Sequence, residues 1–167
     1  QNNNKFTSED LNIKPADINY KELALRQRYA ESSFNNNAVS NKGAKGAYGI
    51  MPHIHKWYIE ETGDTGDLTD LAYNTRIRDW LMERNLRSDI HSSADTDSVR
   101  VGKLLVQHNY GSGNTRRRLK ELEEQGIDTH TSFEWLDYFP KEPREYTNFV
   151  LRNKDINQHK NTEAFNK

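Results

Sequence analysis

The residues best placed to do chemistry are Glu31 with Ser32, His53 with His55, His108 with Asn109, and Glu142 with Tyr146. Glu31 carries the clearest physical argument. It stands four residues after Gln27 and three before Phe34, beside an apolar stripe and near the expected C-terminal end of a helix. Partial burial and the negative end of the helix dipole both disfavour an ionised carboxylate there. A carboxyl group that keeps its proton near neutral pH is what a general acid requires. Without further support, a lone helical glutamate reads as an ordinary solvated or salt-bridged group.

The histidines carry less. His53 and His55 are two residues apart, and on a helix such a pair faces different ways, so no shared metal ion is expected. The chain has no cysteine, which removes disulfides, zinc-thiolate sites and thiol nucleophiles together. Neither a metal nor a cofactor is expected. His108 falls on the apolar stripe of its own helix and reads as a semi-buried or cleft-wall residue.

The order of the local motifs says more than any one of them. Glu31-Ser32-Ser33-Phe34 is followed by Gly43-Ala44-Lys45-Gly46-Ala47-Tyr48-Gly49-Ile50-Met51-Pro52, then by Asn109 with Gly111 and Gly113, then by Glu142 with Tyr146 four residues on. This series resembles the soluble lytic transglycosylase family of the lysozyme-like superfamily. That family shows a Glu-Ser pair, a glycine-rich stretch ending Ile-Met-Pro, an Ala-Tyr-Asn followed by Gly-x-Gly, and a late Glu with a Tyr four residues later. Phe34, Asn35, Ala38, Val39 and Asn74 also fit, and the resemblance runs from about Tyr20 to Asn153. Two departures stand out. Ala47-Tyr48-Gly49 replaces the family's Leu-Met-Gln, so a cleft-lining glutamine is missing, and Gln107-His108 replaces Ala-Tyr before Asn109.

The resemblance implies a mostly α, lysozyme-like single helical domain with a substrate cleft. It implies cleavage of the β-1,4 bond between N-acetylmuramic acid and N-acetylglucosamine in peptidoglycan, with a 1,6-anhydro product. Glu31 is then the catalytic acid and base, and Ser32, Tyr48, Met51, Asn109, Glu142 and Tyr146 are the implied substrate-binding residues. Other readings stay open for several of these. Tyr146 shares helical spacing with Phe149 and Val150, Glu142 fits a surface or capping role, and Tyr48 and Met51 could stack on sugars or simply pack. The competing functions are a hydrolase on the same scaffold, with Asp64, Asp67 or Asp70 as its second acid, and a glycan-binding module with a decayed cleft. The run Arg116-Arg117-Arg118 with Lys120 reads as a solvated face, with contact to anionic wall polymer as the lesser alternative.

These residues need helices to hold them. The spacing predicts a helix from Asp17 along Tyr20, Leu23, Ala24, Gln27, Ala30 and Glu31, then an irregular stretch from Asn35 to Gly49 in which a small hairpin could lie. Pro52 opens a short helix ended by the Gly63 to Asp67 turn signals, and the longest helix spans Asp67 to about Ile90. Val101, Leu104, Leu105 and His108 mark a helix ending near Gly111, and Gly113 to Gln125 forms another, stopped by Gly126. Pro140 and Pro143 set the start of a terminal helix within Phe133 to Asn153.

At 167 residues the chain is one domain's length, expected as polar tails over 1–15 and 158–167 around a catalytic domain over 16–157. Acidic and basic residues nearly cancel at a net charge of −1, so tight nucleic-acid binding is not expected, and neither is a transmembrane segment. Peptidoglycan glycan strands are the expected partner and a monomer the expected state. Because the chain opens at Gln1, a preceding segment is expected. The implied location is extracytoplasmic, in the cell envelope or periplasm, reached directly or by way of a phage, secretion or conjugation system.

Overall fold

A computed structural model of the protein describes residues 18–152. They are mostly helical, as the motif series implies. Six α-helices run in chain order: α1 (Leu23–Ser32), α2 (Pro52–Thr62), α3 (Leu71–Leu86), α4 (Asp97–Tyr110), α5 (Ser112–Glu124) and α6 (Lys141–Leu151). Short 3-10 segments cover Tyr20–Glu22 and Glu134–Tyr138. No named strand occurs among the described residues; two isolated antiparallel bridges, Val39 with Lys45 and Lys45 with Ile50, are the small hairpin allowed for between Asn35 and Gly49. No helix among the described residues is long and apolar enough to cross a membrane. The expected tails and the boundaries at 16 and 157 lie outside the described residues.

Three helix boundaries differ from expectation, one being the end of the long helix at Leu86 rather than near Ile90. Ile18 and Asn19 are not helical, and α1 proper starts at Leu23 behind a 3-10 turn. The long helix starts at Leu71 rather than Asp67 because Asp67 folds into a turn, accepting the Thr69 N–H at 2.9 Å. Asp70 then accepts the Ala72 N–H at 3.1 Å and caps the helix where it begins. Elsewhere the stop signals work as read. Gly63 takes φ +72 after α2 and donates to the Ile59 carbonyl.

The buried face of α1 differs in part: Gln27 of the expected stripe is buried, but Arg26 joins it from outside the stripe. Tyr20, Ala24 and Ala30 are exposed, while Arg26 and Gln27 are fully buried. Both polar chains are held: Arg26 pairs with Glu22 at 3.2 Å, and Gln27 accepts from Arg78 Nε at 2.9 Å. Apolar periodicity cannot find a face built on paired polar groups.

The chain divides into two compact units. In the first, from Glu22 to Glu83, Ala47, Tyr48, Ile50, Tyr58, Leu68, Tyr73 and Ile77 form the apolar core, with Ile54, Ile59, Leu71 and Trp80 packed on it. In the second, which holds the described residues from Arg84 onward, α4 packs against α5 and α6. Gly102 makes that packing close, since a Cβ there would lie 2.7 Å from the Phe133 ring. Lys103 is buried on α4 because Asp95 meets its ammonium at 2.9 Å and His130 Nδ1 closes on the same oxygen at 2.6 Å.

Candidate active site

Glu31 is the penultimate residue of α1 and is half-buried. The helix ends abruptly after it. Ser33 and Phe34 both adopt left-handed backbone, at φ 54° and 65°, a conformation that costs non-glycine residues free energy. The strain has local support. The Ser33 N–H caps the helix on the Tyr29 carbonyl at 2.8 Å, and the buried Phe34 ring packs on Tyr29 beneath the Arg28 guanidinium. Ser32 is buried, and its hydroxyl donates back to the Arg28 carbonyl at 2.9 Å. In this arrangement it fastens the helix end.

The glycine-rich loop supplies the other side of the carboxylate. Lys45 and Ile50 exchange backbone hydrogen bonds at 2.9 Å each, which closes the turn Gly46-Ala47-Tyr48-Gly49. Gly49 has φ +59, and a Cβ added there would fall 2.6 Å from Glu31 Oε1. Its bare Cα is therefore the surface against which the carboxylate rests. A Cβ at position 49 would meet the movable carboxylate end of Glu31 and displace it.

Asn74 of α3 locks this turn in place. It is fully buried, accepts the Tyr48 N–H at 2.8 Å, and donates to the carbonyls of Lys45 and Leu68 at 3.0 Å each. Gly46 leaves room for it, since a Cβ there would sit 2.2 Å from the Asn74 amide nitrogen. Tyr48 points into the core at 5% exposure, with Arg78 over its ring. Met51 is half-buried at the start of α2.

The remaining site residues belong to the second unit. Asn109 is half-buried in the last turn of α4, before Gly111 at φ +89. Glu142 is exposed in the first turn of α6, where a carboxylate complements the helix dipole, and Tyr146 is buried one turn later.

The three aspartates considered as second acids are each occupied. Asp64 accepts both Arg76 Nε at 3.0 Å and Arg76 Nη2 at 3.3 Å, and it also accepts the Tyr58 hydroxyl. Arg76 first and Tyr58 second hold its carboxyl below the usual carboxylate range. The Thr69 backbone N–H, then its hydroxyl, lower Asp67 in the same way. Asp70 caps the start of α3. Among the described residues no group of three or more His, Asp or Glu side chains forms a metal-binding cluster. Arg116 pairs with Asp89, while Arg118 binds the Tyr138 carbonyl and Glu121, so this basic run is largely engaged in surface contacts.

Gly49 is the site residue that sequence reasoning did not single out. Its only signal was the departure from Leu-Met-Gln. Asn74 fits the motif series by position alone, because two of its three partners, Tyr48 and Lys45, lie 26 and 29 residues away.

Comparison with curated proteins and with solved structures gave no match. The family described as the Transglycosylase SLT domain matches residues 20–131. Because that match spans about two thirds of the chain and takes in both the helix that carries Glu31 and the loop that rests on it, the protein belongs to the SLT transglycosylase domain family.

Proposed function

We propose that this protein is a peptidoglycan lytic transglycosylase in which Glu31 acts first as acid and then as base. The observation that carries the reading is the carboxylate of Glu31, half-buried at a strained helix end and backed by the Cα of Gly49 inside the family-matched span. Glycoside hydrolysis usually takes two carboxylates. Here the aspartates available to the hydrolase alternative are tied to Arg76, to Thr69 and to a helix start. One carboxylate then has to serve twice.

In this reading Glu31 protonates the glycosidic oxygen while the substrate's N-acetyl oxygen stabilises positive charge developing at C1. The carboxylate next takes the proton from the C6 hydroxyl of the same sugar, and that oxygen closes on C1. The nucleophile is held beside its target, so the intramolecular step replaces attack by water at high effective concentration. The family resemblance implies substrate-positioning roles for Asn109 and Tyr146, and no cofactor enters. The place of action is the extracytoplasmic cell wall.

Digestion of purified peptidoglycan in oxygen-18 water tests the reaction class. Expected products end in 1,6-anhydro-N-acetylmuramic acid, without label and without a reducing end. Label at a new reducing end would make the enzyme a hydrolase, and no product would favour a binding module. Glu31→Gln keeps shape and removes the exchangeable proton, so turnover should fall by a factor of about 1,000 or more with folding intact. A variant that keeps a tenth of the wild-type rate, roughly 1.4 kcal/mol in barrier, would place the acid elsewhere.

A further inference from the structure

On α2, Pro52, His55, Lys56 and Ile59 recur at helical spacing, and with Lys45 and Leu68 they wall a cavity of about 350 Å³. That is the small end of the range for sites that hold organic ligands. Pro52, Ile59 and Leu68 make its apolar part.

The charge around it is lopsided. Lys45 and Lys56 are exposed, and neither forms an ion pair among the described residues. Glu60 also lies on the wall, one turn after Lys56, but lysine before glutamate is the weaker order for such a pair, and the pair is not made. Asp67 feels Lys45, yet its carboxylate already accepts the N–H and hydroxyl of Thr69 at 2.9 and 2.8 Å. The first turn of α2 has no acidic residue and no side-chain cap, so the positive end of its dipole adds to the two ammonium groups at Pro52.

His55 adds a polar group of defined sense. Tyr73 donates its one hydroxyl proton to the Asp64 carbonyl at 3.0 Å, so at 2.8 Å from His55 Nε2 the tyrosine oxygen accepts. Nε2 therefore carries the ring proton, and Nδ1 is left as an acceptor. Burial first and the Lys45 ammonium second hold this histidine below its ordinary value, which keeps the ring neutral.

We propose that this cavity binds the free carboxyl end of a short peptide, with the carboxylate at Lys45 and Lys56, a small side chain against Pro52, Ile59 and Leu68, and an amide N–H given to His55. The identity of that peptide rests on the function proposed above: it is the stem peptide carried by the glycan strand. The reach is sufficient. Lys45 and Gly49 are four residues apart, so their Cα atoms are separated by at most about 14 Å, which a stem of a few residues spans at about 3.5 Å each.

Calorimetric titration with N-acetyl-D-alanyl-D-alanine and with its C-terminal amide tests the site. The acid should bind, and the amide should bind about tenfold more weakly or worse, the loss expected for a charge-assisted hydrogen bond. Lys45→Gln and Lys56→Gln should each weaken the acid by a similar factor, while Glu31→Gln leaves it unchanged. Equal binding of acid and amide, or lysine variants that bind like wild type, would overturn the site. Turnover of intact strands and of strands stripped of peptide tests the occupant. The double lysine variant should raise KM on intact strands, keep kcat, and leave stripped strands unaffected. No difference between the two substrates would overturn the stem peptide as ligand. A protein that binds the dipeptide but cuts no glycan would retain the cavity and refute the proposed function instead.

Discussion

Gly49 shows how one missing side chain places the carboxylate to which the proposed function gives the chemistry. At φ +59 an alanine is strained by about 1–2 kcal/mol, and its methyl would also press on Glu31 Oε1 from 2.6 Å. Gly43 provides the control. It sits at φ +89, yet a Cβ there meets nothing closer than Pro52 Cγ at 3.8 Å. Both alanine variants should therefore lose a comparable, small amount of stability, but only Gly49→Ala should displace the carboxylate. We expect its kcat to fall by about tenfold or more while Gly43→Ala stays near wild type, each measured beside its melting curve. Equal kcat in the two variants would mean that Glu31 does not depend on the glycine behind it.

At the level of elements, the site depends on a helix start and a turn being joined by one side chain. Asn74 reaches from the first turn of α3 to three backbone groups, two of them in the turn that carries Gly49 or beside it. Hydrophobic packing alone does not specify such a turn, because its polar groups need partners wherever they are buried. Asn74→Ala removes the buried partner of the Tyr48 N–H and of the Leu68 carbonyl, while the Lys45 carbonyl keeps the Ile50 N–H. The expected cost is about 3 kcal/mol in a denaturant melt, with activity lost in the fraction that remains folded. Asn74→Ala with wild-type activity per folded molecule would show that the turn holds Glu31 without its clamp.

For the whole molecule the testable property is stability against pH. His91 is pushed below its ordinary value by burial, helped by Lys103 and Arg100 and opposed by Gln107 and Asp95; His55 is lowered by burial and Lys45. Both groups take up protons in the unfolded chain at about pH 6.5 while the folded protein stays neutral. Their contribution is present above that pH and is lost as pH falls toward the folded values. Burial pushes Asp95 up, but hydrogen bonds from His130 and Lys103 outweigh it and leave the carboxyl low. Its contribution is present above about pH 3.9 and disappears only as pH falls through the lower folded value. The melting temperature should thus decline in two stages, first as pH falls below about 6.5 and again below about pH 4, at roughly 2–4 °C per kcal/mol. His91→Gln should flatten the first stage and leave the second; an unchanged slope would remove His91 from the account.

What the sequence determined by itself was local and ordered. Helix-forming segments, the stops at Gly63, Gly111 and Gly126, and the succession Glu31-Ser32, glycine-rich run, Asn109 and Tyr146 are all carried by neighbours along the chain. Propensity and motif order act over a few residues, so they survive without coordinates. The starts of α1 and α3 lie later than local pattern predicts because a 3-10 turn and the Asp67 side chain compete with the helix over the same few residues. Only the tertiary structure decided that Arg26 joins Gln27 inside while Ala24 and Ala30 stay outside, the two polar chains being held by Glu22 and, 51 residues from Gln27, by Arg78. It also placed Tyr48 in the core and set the Cα of Gly49 against Glu31. These are contacts between segments distant in sequence. Their free energy depends on distances and paired polar groups that no local pattern encodes.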